Sequence, residues 1–312
     1  MTETLYSLLM TLRKLFNRLF YLLTLLAAAS LVFLTAGVLV TLVVESKPGF
    51  ERFGFIKFLL SSDWNYSKEM FGAFRPLTGT VLAALGAVVL ATPVALGVAV
   101  FLTELCPSKL KSPISLAIEL LAAIPSIIYG LWGLFVLAPF LENYFQPLMG
   151  KVFGGLPVIG GYFATKVAGG LNLVTASMVL AVMILPFIAS LAREGFAQVP
   201  DVLKESAYGL GATTWETIAA VVWPSSQRAV VGGIIMAAGR ALGETMAVAY
   251  VIGNRHGALD SIFSPYVTIT SVIANEFNEA GPTQMSALFY LTLALFLANL
   301  VVLSLARRLM RK

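Results

Sequence analysis

The sequence contains a single cysteine, Cys106, and a single histidine among its 312 residues. One cysteine cannot form an internal disulfide bond, and the shortage of both residue types argues against a zinc or iron–sulfur site. Charged residues make up only 12% of the chain, against about 25% in ordinary soluble domains. Apolar residues make up 58%, which is more than a soluble core of this length can hide from water. We therefore expect a lipid bilayer to solvate much of the chain.

Two kinds of functional motif are also missing from the sequence. No G-x-x-x-x-G-K-[ST] segment occurs, so the backbone loop that cradles nucleotide phosphates is absent. If ATP drives this protein, a partner must hydrolyse it, and the chain itself is expected to bind no cofactor. No cluster of histidine, cysteine or carboxylate residues stands at the end of an apolar run, which disfavours a membrane enzyme. The small net charge of +5 does not favour nucleic acid as a partner.

Six apolar runs are long enough to form membrane-spanning helices. About 20 helical residues cross the roughly 30 Å of hydrocarbon in a bilayer. Runs of this length lie near 19–44, 76–103, 114–139, 171–192, 229–252 and 284–306. The first run is too long for the apolar part of a cleaved signal peptide, so we predict an uncleaved span. Residues 1–312 are therefore predicted to form one all-α membrane domain with six transmembrane helices and without a separate soluble domain.

The distribution of lysine and arginine predicts which ends of the spans face the cytoplasm. With both termini inside, the cytoplasmic segments carry twelve of the 21 cations and the outer segments carry eight. The two termini and the short 104–113 loop are clearly basic, as expected for cytoplasmic segments. In this orientation the long loop at 193–228, between the fourth and fifth spans, is also cytoplasmic. The one remaining cation, Arg240, lies within the fifth apolar run.

The loop between the fourth and fifth spans contains signals for two short helices. Asp201 is a favourable N-cap for a helix of about two turns, which Gly209 and Gly211 would end. Thr213 and Glu216 have the spacing of a capping box, which opens a second helix. Each helix is too short to span a bilayer and too polar to be buried in one. The pair is expected to be either a rigid docking element for another protein or a helical hairpin on the membrane surface.

Two charged residues fall inside the fifth apolar run. Arg240 lies near its middle, and Glu244 follows four residues later. A central charge costs about 2.5–3.5 kcal/mol on insertion scales, so two such charges need a reason. On a continuous helix the spacing places both on one face, where they could form an intrahelical ion pair. The alternative is that Arg240 faces a central pathway and binds an oxyanion through its forked guanidinium, while Glu244 positions it, releases it or carries a proton.

The third apolar run contains a proline within its expected helix. Pro125 lacks a backbone donor, which predicts a kink and leaves a carbonyl group available inside the membrane. Ser126 and Tyr129 follow on the next turn and are candidates for lining a transport pathway. Simple bending of the helix, without a role in transport, is the alternative.

Four segments together resemble a known transporter family. Residues 205–224 fit E-A-A-x3-G-x9-I-x-L-P, the signature loop of ABC importer permeases. The matching residues are Glu205, Ala207, Gly211 and Pro224, and the departures are Ser206, Val221 and Trp223. The segments that look like permeases of the phosphate-specific (Pst) importer are Phe71–Gly79, Glu119–Gly130 and Gly239–Val248. The Gly-Glu-Thr-Met-Ala form of the last segment is more similar to the PstC-type subunit than to its PstA-type partner.

The resemblance implies the type I ABC importer permease fold in a bacterial inner membrane. It implies that residues 193–228, called the coupling loop below, dock on a dimer of cytoplasmic ATPases that carry ATP and Mg²⁺. The other implied partners are a second, PstA-type permease subunit, an external phosphate-binding protein and membrane lipid. The coupling residues carried over from the family are Glu205, Ala207 and Gly211. Arg240 and Glu244 match the family's intramembrane charged pair, and neither a metal site nor a catalytic residue is expected.

These features predict a permease that forms the translocation pathway of an ATP-driven phosphate importer and works by alternating access. One alternative is the same machine for another oxyanion, such as sulfate or molybdate, because a buried arginine does not specify its anion. The other is an ion-coupled secondary transporter in which Glu244 carries a proton. That hypothesis leaves the coupling loop without a role and predicts transport in the absence of ATP.

Overall fold

A computed structural model of the chain describes residues 2–157, 160–163 and 169–311. The described residues are almost entirely helical, with several α-helices joined by short π-helical turns. The α-helices are α1 (Thr2–Phe53), α2 (Phe55–Leu60), α3 (Phe74–Val100), α4 (Ser108–Ala123), α5 (Ser126–Trp132), α6 (Ala138–Phe140), α7 (Gln146–Phe153), α8 (Leu173–Ala197), α9 (Asp201–Gly209), α10 (Thr214–Thr217), α11 (Trp223–Leu242), α12 (Met246–Val251), α13 (Ile269–Glu276) and α14 (Pro282–Arg311). The strands β1 (Trp64–Asn65) and β2 (Met70–Phe71) pair antiparallel.

Among the described residues, six helical stretches are long and apolar enough to cross a membrane, which is the number that the sequence predicts. They are Leu12–Phe53, Phe74–Leu105, Ser126–Phe153, Leu173–Ala197, Thr214–Leu242 and Pro282–Leu309. Large apolar side chains such as Phe33, Val89 and Phe135 are largely exposed on their outer surfaces. Such surfaces are stable only against lipid or another apolar protein face, because burying apolar area away from water is favourable. The chain is therefore a multi-pass membrane protein.

The third span differs from its predicted range of 114–139 and lies at Ser126–Phe153. The helix breaks at Ile124, whose ψ of 128° is extended, and at Pro125, whose ψ is 137°. Proline disfavours helical dihedrals at the residue before it, which explains why α4 ends there. The predicted kink is therefore a complete interruption, and the residues before it form a separate helix.

The fifth span also differs from its predicted range of 229–252. Its helix begins at Thr214, inside the coupling loop, passes through a π-helical turn at Ile218–Val222 and ends at Leu242. The second short helix predicted in the loop is therefore the first part of the span itself. Residues 243–245 leave the helical path before α12 begins. Arg240 consequently lies in the last turn of a helix and not in its middle, and Glu244 lies beyond the end of that helix.

Helix α8 lies at the centre of the bundle and packs against α3 and α11. The contact face of α3 consists of alanines at four-residue spacing, all almost completely buried: Ala83, Ala87, Ala91, Ala95 and Ala99. Small residues on one face let two membrane helices approach closely. Val179, Ile184 and Ile188 of α8 fill the space between the neighbouring helices. This tight packing couples the position of α3 to that of α8.

Glu276, at the end of α13, ties together segments on the side of the bundle opposite the coupling loop. Its Oε2 accepts hydrogen bonds from Trp64 Nε1 at 3.0 Å and from Gln284 Nε2 at 2.8 Å. His256 Nε2 lies 2.9 Å from Glu276 Oε1, and the His256 ring stacks on that of Trp64. Partial burial and the nearby carboxylate of Glu276 raise the pKa of Tyr66 to about 12.

Candidate functional site

The coupling loop is attached to the bundle by a small apolar core. Phe196 and Val199 lie where the chain enters the loop, and Val222 lies where it leaves. They pack with Ala99 of α3 and Val230 of α11, and all five side chains are buried. The two ends of the loop are therefore anchored on α3, α8 and α11, which limits the freedom of the loop to move independently.

The first helix of the loop, α9, has the predicted length but not the predicted cap. It spans Asp201–Gly209, and the capping position belongs to Pro200, which makes no side-chain hydrogen bond to the helix. Asp201 is the first helical residue, so the prediction that it is the N-cap is wrong by one position. Proline at 200 has extended dihedrals that suit chain entry into a helix. A carboxylate in the first turn still interacts favourably with the positive end of the helix dipole.

The end of α9 forms the glycine corner that the sequence predicts. Gly211 has a φ of +89°, a conformation that residues with a Cβ rarely adopt. Its N–H donates to the Tyr208 carbonyl at 2.9 Å, and the Ala212 N–H donates to the Ala207 carbonyl at 3.0 Å. These two bonds define a Schellman motif, which satisfies the last carbonyls of a helix. Two of the candidate coupling residues, Ala207 and Gly211, therefore shape this corner.

The capping box that follows the corner is confirmed. The Thr213 N–H donates to Glu216 Oε2 at 2.7 Å, and the Glu216 N–H donates to Thr213 Oγ1 at 3.4 Å. Because α10 continues into α11, this box fixes the start of the fifth span. The direction of the chain at the corner is thus set by hydrogen bonds at both of its sides.

Apolar side chains project from this polar loop. Leu210 is 91% exposed and Trp215 is 67% exposed, and they flank the glycine corner on the two sides. Glu205, the third candidate coupling residue, is also exposed. Exposed aromatic and aliphatic side chains on a rigid element are typical of protein interaction sites. The coupling loop therefore presents apolar side chains beside the glycine corner, and its docking role stays a prediction.

Arg240 and Glu244 are placed by the interruption of the fifth span. Arg240 lies in the last turn of α11 and is exposed on the surface of the chain, whereas Glu244 is half-buried. The helix stops at Leu242, and Gly243 turns the chain, so Glu244 no longer lies one turn above Arg240. The i,i+4 ion pair considered from the sequence is not formed between these two described residues.

The interrupted helix compensates the two charges separately. Arg240 stands at the carboxyl end of α11, where the helix dipole favours a cation. Glu244 precedes the amino end of α12, and its Oε1 accepts a hydrogen bond from the Ala247 N–H at 3.4 Å. A carboxylate is favoured at that end of a helix by the same dipole argument. The two charges are therefore placed at two different helix ends and do not compensate each other. The role of Arg240 in a pathway stays a prediction.

Backbone carbonyls at this interruption accept hydrogen bonds from a neighbouring helix and from a side chain of the interruption itself. Thr270 Oγ1, at the start of α13, donates to the carbonyl of Glu244 at 2.7 Å. Thr245 Oγ1 donates to the carbonyl of Gly243 at 3.3 Å. Non-helical backbone at membrane depth is stable only when other protein groups pair with it. Sequence patterns do not identify Thr270, because its partner is a backbone carbonyl that becomes available only once the break is known.

The other two pathway candidates lie at the start of α5, after the interruption of the third span. Ser126 is half-buried, while Tyr129 is buried and its hydroxyl donates to the Leu121 carbonyl at 2.7 Å. The tyrosine therefore joins α5 back to the end of α4 across the break. This contact gives Tyr129 a structural role, and the role of both residues in a pathway stays a prediction.

The two interruptions lie next to each other in the structure. Helices α5 and α12, which each begin just after a break, pack together. A Cβ added at Gly130 of α5 would lie only 2.9 Å from the Cα of Ala247 in α12. Glycine at 130 is therefore required for this close approach. The arrangement brings the Ser126 and Glu244 segments into one region, with Arg240 at its margin.

Comparison with known proteins identifies what this chain is similar to. Residues 91–312 match the family described as "Binding-protein-dependent transport system inner membrane component". A relative from Mesorhizobium japonicum, named phosphate transport system permease protein PstC, is 51% identical over 283 residues, which cover 90% of this chain and 86% of the relative. A relative of the same name from Haemophilus influenzae is 48% identical over 305 residues, which cover 96% of each chain.

A similar fold also occurs among solved structures. A chain of the MetNI methionine ABC transporter, solved in inward-facing conformations, matches with a TM-score of 0.54. The match covers 76% of this chain and 94% of that chain, at 16% sequence identity. At this identity the likeness concerns the fold alone. The permease fold predicted from the sequence is confirmed.

Proposed function

Because this chain belongs to the family of binding-protein-dependent transport system inner membrane components, we propose that it is the PstC-type permease subunit of an ATP-driven phosphate importer. The observation that carries the proposal is the likeness, over nearly the whole chain, to relatives named phosphate transport system permease proteins. A permease is a transport component and not an enzyme, so the chain itself makes and breaks no covalent bond. ATP and Mg²⁺ belong to its partner ATPases.

The proposed cycle is alternating access between two permease subunits. A loaded phosphate-binding protein docks on the outer segments, while ATP binding closes the ATPase dimer and draws the coupling loops inward. The cavity between this chain and a second, PstA-type permease then opens outward. Hydrolysis of ATP then resets the inward-facing state. Rigid-body movement of packed helices around a fixed site is a common form of such transitions.

Arg240 is proposed to meet the phosphate anion. Its side chain is exposed on the surface of this chain, at the end of a half-helix, and a second permease would enclose that surface in the complex. A guanidinium donates paired hydrogen bonds that match two oxygens of a tetrahedral oxyanion. Glu244 is already engaged with the amino end of α12. We propose that Glu244 positions the interrupted backbone beside the anion. In this role Glu244 does not contact phosphate directly.

The coupling loop is proposed to be the contact with the cytoplasmic ATPases, with both chain termini on the same side of the membrane. The exposed Leu210 and Trp215 and the fixed corner at Gly211 support this assignment. An apolar residue that is nearly fully exposed on a rigid corner gains stability when a partner covers it. Glu205 is exposed on α9 and is available for a polar contact with the partner.

Uptake of radiolabelled phosphate by proteoliposomes tests the proposal. The vesicles contain this chain, its candidate permease partner and the ATPases, with the binding protein on the outer side and ATP inside. Uptake that requires both ATP and the binding protein is the expected result. Uptake driven by an ion gradient without ATP would instead identify a secondary transporter, and transport of sulfate or molybdate in place of phosphate would replace the substrate.

A further inference from the structure

A buried ion pair joins the coupling loop to the second span. Lys204 Nζ, on α9, lies 2.6 Å from Glu104 Oε1. The two side chains are only 14% and 7% exposed. By contrast, Lys47 and Glu51 form a pair in which the side chains are 75% and 70% exposed. The buried position means that water does not compete effectively for either charge.

The carboxylate of this pair lies on a specialised segment. Glu104 belongs to the π-helical turn Phe101–Leu105, which follows directly on α3. In such turns the regular helical hydrogen-bond ladder is interrupted, and they occur frequently at functional sites. Lys111 Nζ donates to the Thr103 carbonyl in the same turn at 3.0 Å. The end of the second span is thus fixed by two lysines from outside its own helix.

A buried ion pair is a poor way to gain stability but an effective way to fix geometry. Desolvation of both charges offsets much of their attraction, and apolar replacements of a buried pair are often equally stable. The pair holds α9 at one position relative to α3, because separating the charges leaves both of them poorly solvated. Since α3 packs tightly on α8 through its alanine face, a displacement of α9 acts on the bundle beyond the loop.

We propose that the Lys204–Glu104 pair is a mechanical link that transmits movement of α9 to the second span during transport. Both residues are positioning residues, since they lie in the coupling loop and at the end of α3 and contact no substrate. The inference rests on the proposed function, in which the partner ATPases move α9. The ion pair would transmit force within this chain, in addition to the docking contact between this chain and the ATPases.

The test measures coupling in the complete reconstituted complex. K204M and E104Q each remove one charge, and the readout is the number of phosphate ions taken up per ATP hydrolysed, with inorganic phosphate as the probe. We expect this ratio to fall roughly fivefold or more, the range typical of coupling between sites. The amount of ATPase that copurifies with the chain should stay unchanged, because Leu210, Trp215 and the glycine corner are left intact.

The exchanged variant E104K/K204E separates the pair from the individual residues. It restores opposite charges in the same place, so the ratio should recover most of its original value. K47M, in the exposed pair, is the matched control and should leave the ratio unchanged. The proposal is overturned if the single variants couple normally, or if the exchanged variant assembles but stays as defective as they are. Loss of the single variants from the membrane or from the complex would also overturn it, since the pair would then serve folding.

Failure of this link and failure of the proposed function give different results. If the unmodified complex does not couple ATP hydrolysis to phosphate uptake, the proposed function is wrong whatever the variants do. If the unmodified complex couples ATP hydrolysis to phosphate uptake and the variants have the same ratio of phosphate to ATP, only the proposed link is wrong.

Discussion

At the scale of single residues, Arg240 lies in the last turn of α11, with its side chain exposed on the surface of the chain. We expect R240Q to reduce phosphate uptake by roughly ten- to a hundredfold, since a hydrogen bond to a charged group contributes about 1.5–3 kcal/mol. R240K should retain more activity than R240Q, because lysine keeps the positive charge but lacks the paired hydrogen-bond donors of the guanidinium. The measurement is uptake by the reconstituted complex.

R18Q is the control for this substitution, because Arg18 is also exposed but lies in the amino-terminal part of α1. It should transport normally. Normal uptake by R240Q in a correctly assembled complex would remove Arg240 from the pathway.

Glu244 gives a second prediction at this scale. E244Q keeps an oxygen that accepts the hydrogen bond from the Ala247 N–H, whereas E244K removes it and places a cation at the positive end of α12. We therefore expect E244K to lower uptake much more than E244Q. The measurement is phosphate uptake at equal amounts of assembled complex. Equal activity of the two variants would show that the carboxylate does not support the interruption.

Tyr129 provides a test of whether its role is structural or lies in the transport pathway. Y129F removes the hydroxyl that donates to the Leu121 carbonyl, so we expect a loss of about 0.5–1.5 kcal/mol in the free energy of unfolding. The KM for phosphate should stay the same. Thermal unfolding of the purified complex and uptake kinetics measure the two effects. Y144F is the control, because Tyr144 is 69% exposed. A changed KM with unchanged stability would instead favour the pathway role predicted from the sequence.

Sequence signals predict local structure only where the interacting residues are close in sequence. The glycine corner at Gly211 and the capping box at Thr213 could be predicted, because each depends on residues within a few positions. The Lys204–Glu104 pair could not, since its members are 100 residues apart. The ion pair considered for Arg240 and Glu244 required a continuous helix, and the break at Gly243 removes that condition.

At the scale of elements, the corner between α9 and α10 determines how the coupling loop is presented. A Cβ would meet open space at both Gly209 and Gly211, but only Gly211 has a positive φ. G211A should therefore strain the corner by about 1–2 kcal/mol, whereas G209A should be tolerated. We expect G211A to reduce the ATPase that copurifies with the complex, with G209A as the matched control. Full recovery of ATPase with G211A would contradict docking at this corner.

The interruptions of the third and fifth spans show where element prediction stops. Hydropathy continues through Ile124 and through Gly243, so apolar runs alone place a single helix across each break. Pro125 predicts a kink at the first break, but it does not show that the helix is interrupted completely. The second depends on Thr270, whose hydroxyl pairs with the carbonyl of Glu244. A tertiary contact of this kind is not visible in the pattern of a single segment.

At the scale of the whole molecule, composition and run length were sufficient to predict six spans in an all-α membrane protein. The same information could not predict which helix lies at the centre. That place belongs to α8, because its large apolar side chains fit against the alanine face of α3. The bundle thus combines tight packing around α8 with two interrupted helices at its side. Interrupted helices beside a rigid framework occur in many transporters that work by alternating access.

The central claim is tested most directly by the ATPase activity of the complete complex in proteoliposomes. The binding protein is supplied with phosphate, sulfate or molybdate in turn, and hydrolysis is measured for each anion. We predict stimulation by phosphate and by neither of the other two. Stimulation by another anion would keep the ATP-driven machine and contradict the substrate. Absence of stimulation, together with uptake that needs no ATP, would contradict the account as a whole.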